Sequence, residues 1–475
     1  MTAPEDELAG ALAAVLGARD VTGLRLLTGG ASRQTWAFDA DSRALVLQRE
    51  RPRGVRAAGM ATEAALLRAA AAEGVPVPAV VVSDADVADR TDAAGPLGPS
   101  WIVAERIAGE TIPRRILRDD GLADARPRLA AQCGDALARI HRIPPASVTG
   151  LAGGDQLDGL RATLDGVGEP HPALELGFRW LERHRPEAGG GVAGGAAGGP
   201  VRPTAVVHGD FRNGNLAIGP DGLRAVLDWE LAHLGDPLED LGWLCVRAWR
   251  FGAAPPVGGF GSVDELVGAY EATAGETIDR AALHWWEVLG TLKWGVICVV
   301  QASTHLTGVI RSVELAAIGR RVCEVEHDLL LLLPGPAAPT SPSAAGAQDD
   351  AGSPDAPSTA GLPHDAPTAG QLVEAVREFL EGDVMEATEG RVRFHARVAA
   401  NVCAIVEREL ALGSAQAEAA AARWASLGVA DDAELAAAIR SGSLDDRYAE
   451  VAAAVRDTVR DKLRVANPKY LDKPA

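Results

Sequence analysis

Three oxygen-bearing side chains, Asp210, Asn215 and Asp228, fall within 19 residues of one another. They lie in Val206-Val-His-Gly-Asp-Phe-Arg-Asn-Gly-Asn-Leu216 and in Val226-Leu-Asp-Trp-Glu230. Carboxylate and amide oxygens are hard donors that suit Mg²⁺. Phosphoryl transfer from ATP needs such a set: one carboxylate orients the attacking hydroxyl, while an amide oxygen and a second carboxylate hold the metal against the phosphates. Asp210 is thus the candidate catalytic carboxylate, and Asn215 and Asp228 are the candidate Mg²⁺ ligands. Glu230 is either a further metal-side acid acting through water or a strand-end acid. The competing reading is a hairpin in which Asp and Asn only make turns.

Short apolar runs flank these residues, so the stretch reads as strand, loop, strand, with the three side chains brought to one end. The elements ahead of it are short as well. Residues 5–17 have helical spacing, with Leu8, Leu12 and Leu16 on one face. Residues 21–27, 35–39 and 44–48 read as three antiparallel strands. The turn between the first two is Thr28-Gly-Gly-Ala-Ser-Arg33, and glycine there lets backbone N–H groups approach phosphate oxygens. Residues 60–73 form an Ala- and Leu-rich helix with Glu63 in its first turn, a position the macrodipole also favours for an acid. Strands follow at 80–83 and 101–107. Beyond them the chain becomes mainly helical, at 123–141, 174–184, 242–250, 263–273, 281–301 and 314–333.

The run His208-Gly-Asp210-x-x-x-x-Asn215, followed by Leu227-Asp-Trp-Glu230, resembles the aminoglycoside phosphotransferase and choline kinase-like family. The resemblance implies an α+β, bilobed protein-kinase-like fold with ATP between the lobes. It implies that His208 braces the catalytic loop and that Gly29, Gly30 and Ser32 lie over the phosphates. Backbone groups near Glu105 to Ile107 would meet the adenine edge. In kinases the third strand carries a lysine that grips the phosphates and pairs with a helix glutamate, here Glu63. No lysine precedes Lys293. Arg49, at the end of the third strand, is the candidate replacement, since an arginine fork also grips phosphate oxygens. Strand alternation makes Gln48 the competitor on the opposite face. Asp236 and Asp240, in Gly235-Asp-Pro-Leu-Glu-Asp240-Leu, read as turn and cap residues. His141 reads as a helix C-terminal cation.

A net charge of −19 leaves no basic excess for neutralising nucleic-acid phosphates or an anionic membrane. Five scattered cysteines without a paired spacing indicate a reducing compartment and no zinc site. The longest aliphatic run, near 329–333, is far too short to span a bilayer, and the acidic start lacks a signal pattern. A cytoplasmic protein acting on a small molecule is expected, with no nucleic-acid or membrane partner.

Residues 334–370 are Pro, Ala, Ser, Gly, Asp and Thr without an apolar period and read as a disordered linker. Residues 371–475 carry helical stripes and read as a small all-α domain. The expected organisation is a strand-rich lobe at 1–107, a helical lobe at 108–333, the linker, and the helical domain. The strand end Val46-Leu-Gln-Arg-Glu-Arg-Pro52 and the Gly-Asp-Pro continuation are similar to the kinase-like domains associated with acyl-CoA dehydrogenases. That implies a hydroxyacyl-CoA or hydroxy-acid acceptor, with an aminoglycoside or other small alcohol as the alternative. A nucleotide-binding module without turnover is the alternative of another class.

Overall fold

The structure, a computed structural model, describes residues 3–27, 33–50, 59–87, 95–186, 204–334 and 367–472. In chain order its helices and strands begin α1 (Ala3–Leu16), β1 (Val21–Leu26), β2 (Arg33–Ala40), β3 (Arg43–Glu50), α2 (Met60–Ala72), β4 (Val80–Ser83) and β5 (Trp101–Glu105). They continue with α3 (Pro113–Arg118), α4 (Arg126–Ile140), α5 (Gln156–Val167), α6 (Pro172–Arg183), β6 (Ala205–Val207), β7 (Leu216–Gly219), β8 (Gly222–Val226) and β9 (His233–Gly235). Helices complete the chain: α7 (Leu238–Cys245), α8 (Val263–Ala274), α9 (Arg280–Leu306), α10 (Val313–Gly319), α11 (Val322–Leu332), α12 (Ala369–Phe379), α13 (Met385–Ala387), α14 (Gly390–Leu427), α15 (Asp432–Ser441) and α16 (Tyr448–Ala466). No described helix is long and apolar enough to cross a membrane.

Two compact units result: residues 1–155 with 186–290, and residues 156–185 with 291–475. In the first unit, β1 to β5 form an antiparallel sheet in the order β1-β2-β3-β5-β4. Its alternation sorts two faces. Phe38, Leu45, Leu47, Trp101 and Val103 point to one side and pack against Leu8 and Leu12 of α1. Val46, Ile102 and Ala104 point to the other and meet Met60 and Ala64 of α2. The register pairs Thr35 with Gln48 and Gln34 with Arg49, so Gln48 shares the α2 face and Arg49 the α1 face. Two small antiparallel pairs, β6-β9 and β7-β8, carry the stretch from Val206 to Glu230. They sit on a core built from α4, α7 and α8, in which Val206, Phe211, Leu216, Val226 and Trp229 are all fully buried. The segment after β5 is stitched to β7 through Glu110 and Ile218, which exchange bonds of 2.8 and 3.0 Å.

The second unit is helical. Three carboxylates of α11, Glu324, Glu326 and Asp328, are buried, and each finds a partner near the C-terminus. Asn467 donates to Glu324 at 3.0 Å, Lys462 to Glu326 at 3.3 Å and the Tyr470 hydroxyl to Asp328 at 2.6 Å. On α6, buried Glu175 is held by Arg161 and by Arg440 of α15, each at 2.6 Å. The helices expected at 371–475 therefore share a unit with α5, α6, α10 and α11. Helix α14 runs unbroken for 38 residues. Its second half is Ala-rich and has high intrinsic helix propensity without an apolar stripe. Most of the expected linker, 335–366, lies outside the described residues.

Candidate functional site

The stretch that carries Asp210 turns where β6 ends. Gly209 adopts φ +76°, and a Cβ there would lie 2.4 Å from the Leu231 carbonyl oxygen, so only glycine fits. The His208 ring is fully buried; the Asp210 N–H donates to its Nδ1 at 3.2 Å, which leaves Nε2–H to donate to the Leu227 carbonyl at 3.1 Å. Burial pushes the His208 pKa down, against the pull of Asp240 and Asp210, so the ring is a neutral brace between the loop and the residue before Asp228.

Asn215 Nδ2 donates to Asp210 Oδ2 at 2.6 Å and to the Asp210 carbonyl at 3.0 Å. That orientation turns the Asn215 amide oxygen away from Asp210. Asp228 sits in the left-handed region, φ 66° and ψ 65°, which a non-glycine residue occupies only at an energetic cost. Its carboxyl is pushed up to about 6 by burial; Arg33 opposes that rise, and Glu230, Glu63 and Asp210 add to it. Glu230 lies in the short turn after Asp228.

Arg49 does not reach Glu63, the helix acid expected beside it. Arg49 lies on the α1 face, donating to Gln34 at 2.8 Å and to the Pro96 carbonyl at 2.5 Å, and sits over the Trp36 ring. The cation beside Glu63 is Arg33, at the start of β2. Its Nη1 is 2.8 Å from Glu63 Oε1 and donates to Gln48 Oε1 at 3.2 Å, and its Nη2 directly contacts Asp228 Oδ1. Alternation is the reason: Arg33, Gln48 and Glu63 belong to the α2 side, and Arg49 does not. Gly29, Gly30 and Ser32 lie outside the described residues. Glu105 ends β5, with its N–H on the Ala79 carbonyl at 2.9 Å and its side chain 3.4 Å from Arg43; Ile107 follows in the connection to Gly109.

The donor set fits Mg²⁺. Among the described residues no group of three or more His, Cys, Asp or Glu side chains is placed as a metal cage. Mg²⁺ bound with a nucleotide needs only one or two protein carboxylates alongside phosphate oxygens and water. Asp228 and the Asn215 amide oxygen supply hard donors, and the crowding of Asp228 by other acids favours a cation there.

Sequence reasoning missed how the loop is anchored. Asp240, read as a cap, is fully buried and accepts from the N–H of His208 at 2.7 Å and of Gly209 at 2.8 Å. Its Oδ2 also lies 3.1 Å from His141 Nε2, whose Nδ1 meets the Tyr270 hydroxyl at 2.9 Å. Burial acts to raise the Asp240 pKa, but the bonds from His141 and His208 overcome it and hold it below the ordinary aspartate value. Asp210 Oδ1 is likewise gripped, by Trp243 Nε1 at 2.9 Å and Arg212 Nε at 3.0 Å. The Arg212 guanidinium stacks on Trp249 at 4.6 Å. An apolar helix that starts with a buried acid was the available signal for Asp240.

Residues 23–286 match the phosphotransferase enzyme family. The chain belongs to that family. The stretch assigned to the phosphotransferase holds Arg33, Glu63, His208, Asp210, Asn215, Asp228 and Asp240 together. Residues 386–470 match a domain of unknown function, DUF6285. The phosphotransferase is 28% identical over 283 residues to acyl-CoA dehydrogenase family member 10 of Mus musculus, covering 56% of this chain and 24% of that protein. It is 27% identical over 265 residues to acyl-CoA dehydrogenase family member 11 of Gallus gallus, covering 52% and 31%. It thus spans about a quarter to a third of the length of these relatives. A solved structure of a candidate aminoglycoside phosphotransferase from Ralstonia eutropha superposes with a TM-score of 0.53 at 19% identity, over 69% of this chain and 97% of that one. The α+β kinase-like fold of the phosphotransferase agrees with that likeness.

Proposed function

We propose that the chain is an ATP- and Mg²⁺-dependent kinase that phosphorylates a hydroxyl of a small molecule. The observation that carries this reading is the gathering of Asp210, Asn215 and Asp228, with an Arg–Glu pair in contact with Asp228. Asp210 orients the acceptor hydroxyl, its Oδ1 fixed by Trp243 and Arg212 so that the carboxylate cannot rotate. Asn215 spends its amide N–H on Asp210, and its oxygen with Asp228 would hold Mg²⁺. Mg²⁺ held there would supply positive charge to the transferring phosphoryl group. His208 stays neutral and keeps Asp210 and Asp228 in step.

For the acceptor we favour a hydroxyacyl-CoA or hydroxy acid. The two acyl-CoA dehydrogenase relatives support this. The test is Mg²⁺-dependent ATP consumption on adding hydroxyacyl-CoAs, hydroxy acids, aminoglycosides or choline. Asp210→Ala should remove nearly all turnover and keep nucleotide binding. Nucleotide binding by the wild type without stimulated consumption by any acceptor would instead make the chain a binding module.

A further inference from the structure

We propose that Arg33, on β2, is the cation that grips the nucleotide phosphates, in place of a lysine on β3. The inference rests on the ATP-dependent reading above and deepens its nucleotide site. The β3 residue that faces α2 is Gln48, a neutral side chain, and its register partner on β2 is Thr35. Arg33 lies two residues before Thr35 and so projects to that same face. It reaches the position a β3 cation would fill: 2.8 Å from Glu63 of α2, bonded to Gln48 and touching Asp228. The charge has moved one strand over while keeping the face and the helix partner.

Three further observations support the role. Arg33 is only 7% exposed, so its charge acts in a medium that screens it little. It is shared between two carboxylates, and a third, Glu230, lies close enough to act on it. A planar guanidinium presents several donors at fixed angles, so one edge can keep Glu63 while another serves phosphate oxygens. The contact with Asp228 then has a physical purpose. It holds in place the half-buried carboxylate that would take Mg²⁺. Arg49 has no such path, because the sheet itself stands between it and Glu63.

The test is calorimetric titration of the full chain with MgADP, using wild type, Arg33→Met, Arg33→Lys, Arg49→Met and the double variant Arg33→Met/Gln48→Lys. Loss of a charge-assisted phosphate contact should weaken binding in Arg33→Met about 10- to 100-fold. Arg49→Met should stay within about twofold of wild type. The double variant returns the cation to β3 and should regain most of the lost affinity. Arg33→Met takes the partner from buried Glu63 and half-buried Asp228, so its fold is checked by circular dichroism. If it does not fold, Arg33→Lys and the double variant, which keep the charge, decide: weakened binding in the first with recovery in the second supports the role. Wild-type affinity in the Arg33 variants, or loss in Arg49→Met alone, overturns it and leaves the ATP reading intact. No MgADP binding by the wild type overturns both.

Discussion

Asp240→Asn is the most direct test of how the loop from His208 to Asn215 is held. The carboxylate of Asp240 has no solvent exposure and serves three donors: the N–H groups of His208 and Gly209 and the ring of His141. Asparagine keeps the shape but offers one acceptor oxygen instead of two. With its oxygen in the Oδ2 position it keeps His208 and His141 and sets its amide against the Gly209 N–H. With the oxygen in the Oδ1 position it abandons the His208 N–H. One buried backbone donor loses its acceptor either way, at about 1–3 kcal/mol, and the remaining bonds lose their charge assistance. The total is about 3 kcal/mol, which in a unit of this size lowers the melting temperature by roughly 6–12 °C. Because the native pKa is depressed, the advantage of Asp240 is present above the unfolded value near 4 and is lost as pH falls through the folded value. The assay is thermal unfolding of wild type and variant between pH 8 and pH 3, with turnover measured at a temperature where both are folded. A shift below about 2 °C at pH 7, or full turnover in the variant, would refute the argument that this carboxylate holds the loop.

Two other expected outcomes concern the helical unit. Glu326 is held down to about 2, because Lys462 and His171 outweigh the burial that would raise it. Its contribution is therefore present above about pH 4.5 and lost as pH falls toward 2, and Glu326→Gln should remove it. Lys462 is partly open to solvent, so we expect a loss of about 2–3 kcal/mol at pH 7, read as an earlier urea transition followed by far-ultraviolet circular dichroism. Ending the chain at residue 334 should strip Glu324, Glu326 and Asp328 of Asn467, Lys462 and Tyr470. Limited proteolysis should then cut in and around α11, where the full chain resists; equal resistance would show that α11 needs no C-terminal partner.

Much of the candidate site was legible because its residues are close in the sequence. Asp210, Asn215 and Asp228 lie within one strand–loop–strand passage, which keeps them near one another. The sheet was legible for a similar reason, since β1 to β3 are short, alternating and joined by turns. What escaped was set by faces and by distance. Arg33 and Arg49 are equally basic in the sequence, and only the pairing of Gln34 with Arg49 and Thr35 with Gln48 shows which one reaches Glu63. Asp240 looked like a helix cap because its partners, His208 and His141, are 32 and 99 residues away. The helix α5 was not read from the sequence; only Leu157 and Leu164 of it are buried.

The make-up of the second unit bears on how this protein is synthesised. Helices α5 and α6 leave the ribosome long before the helices that cover them: α15, which supplies Arg440 to Glu175, begins 249 residues after α6 ends. At bacterial-type elongation rates that is a wait of roughly 10–50 s. During it Leu174, Leu176, Phe178 and Leu181, all buried in the finished structure, lack α15 and α16. The first unit can meanwhile close from its own two pieces once residue 290 has emerged. Nascent chains of this protein should therefore depend on chaperones most between the completion of the first unit and the arrival of α16.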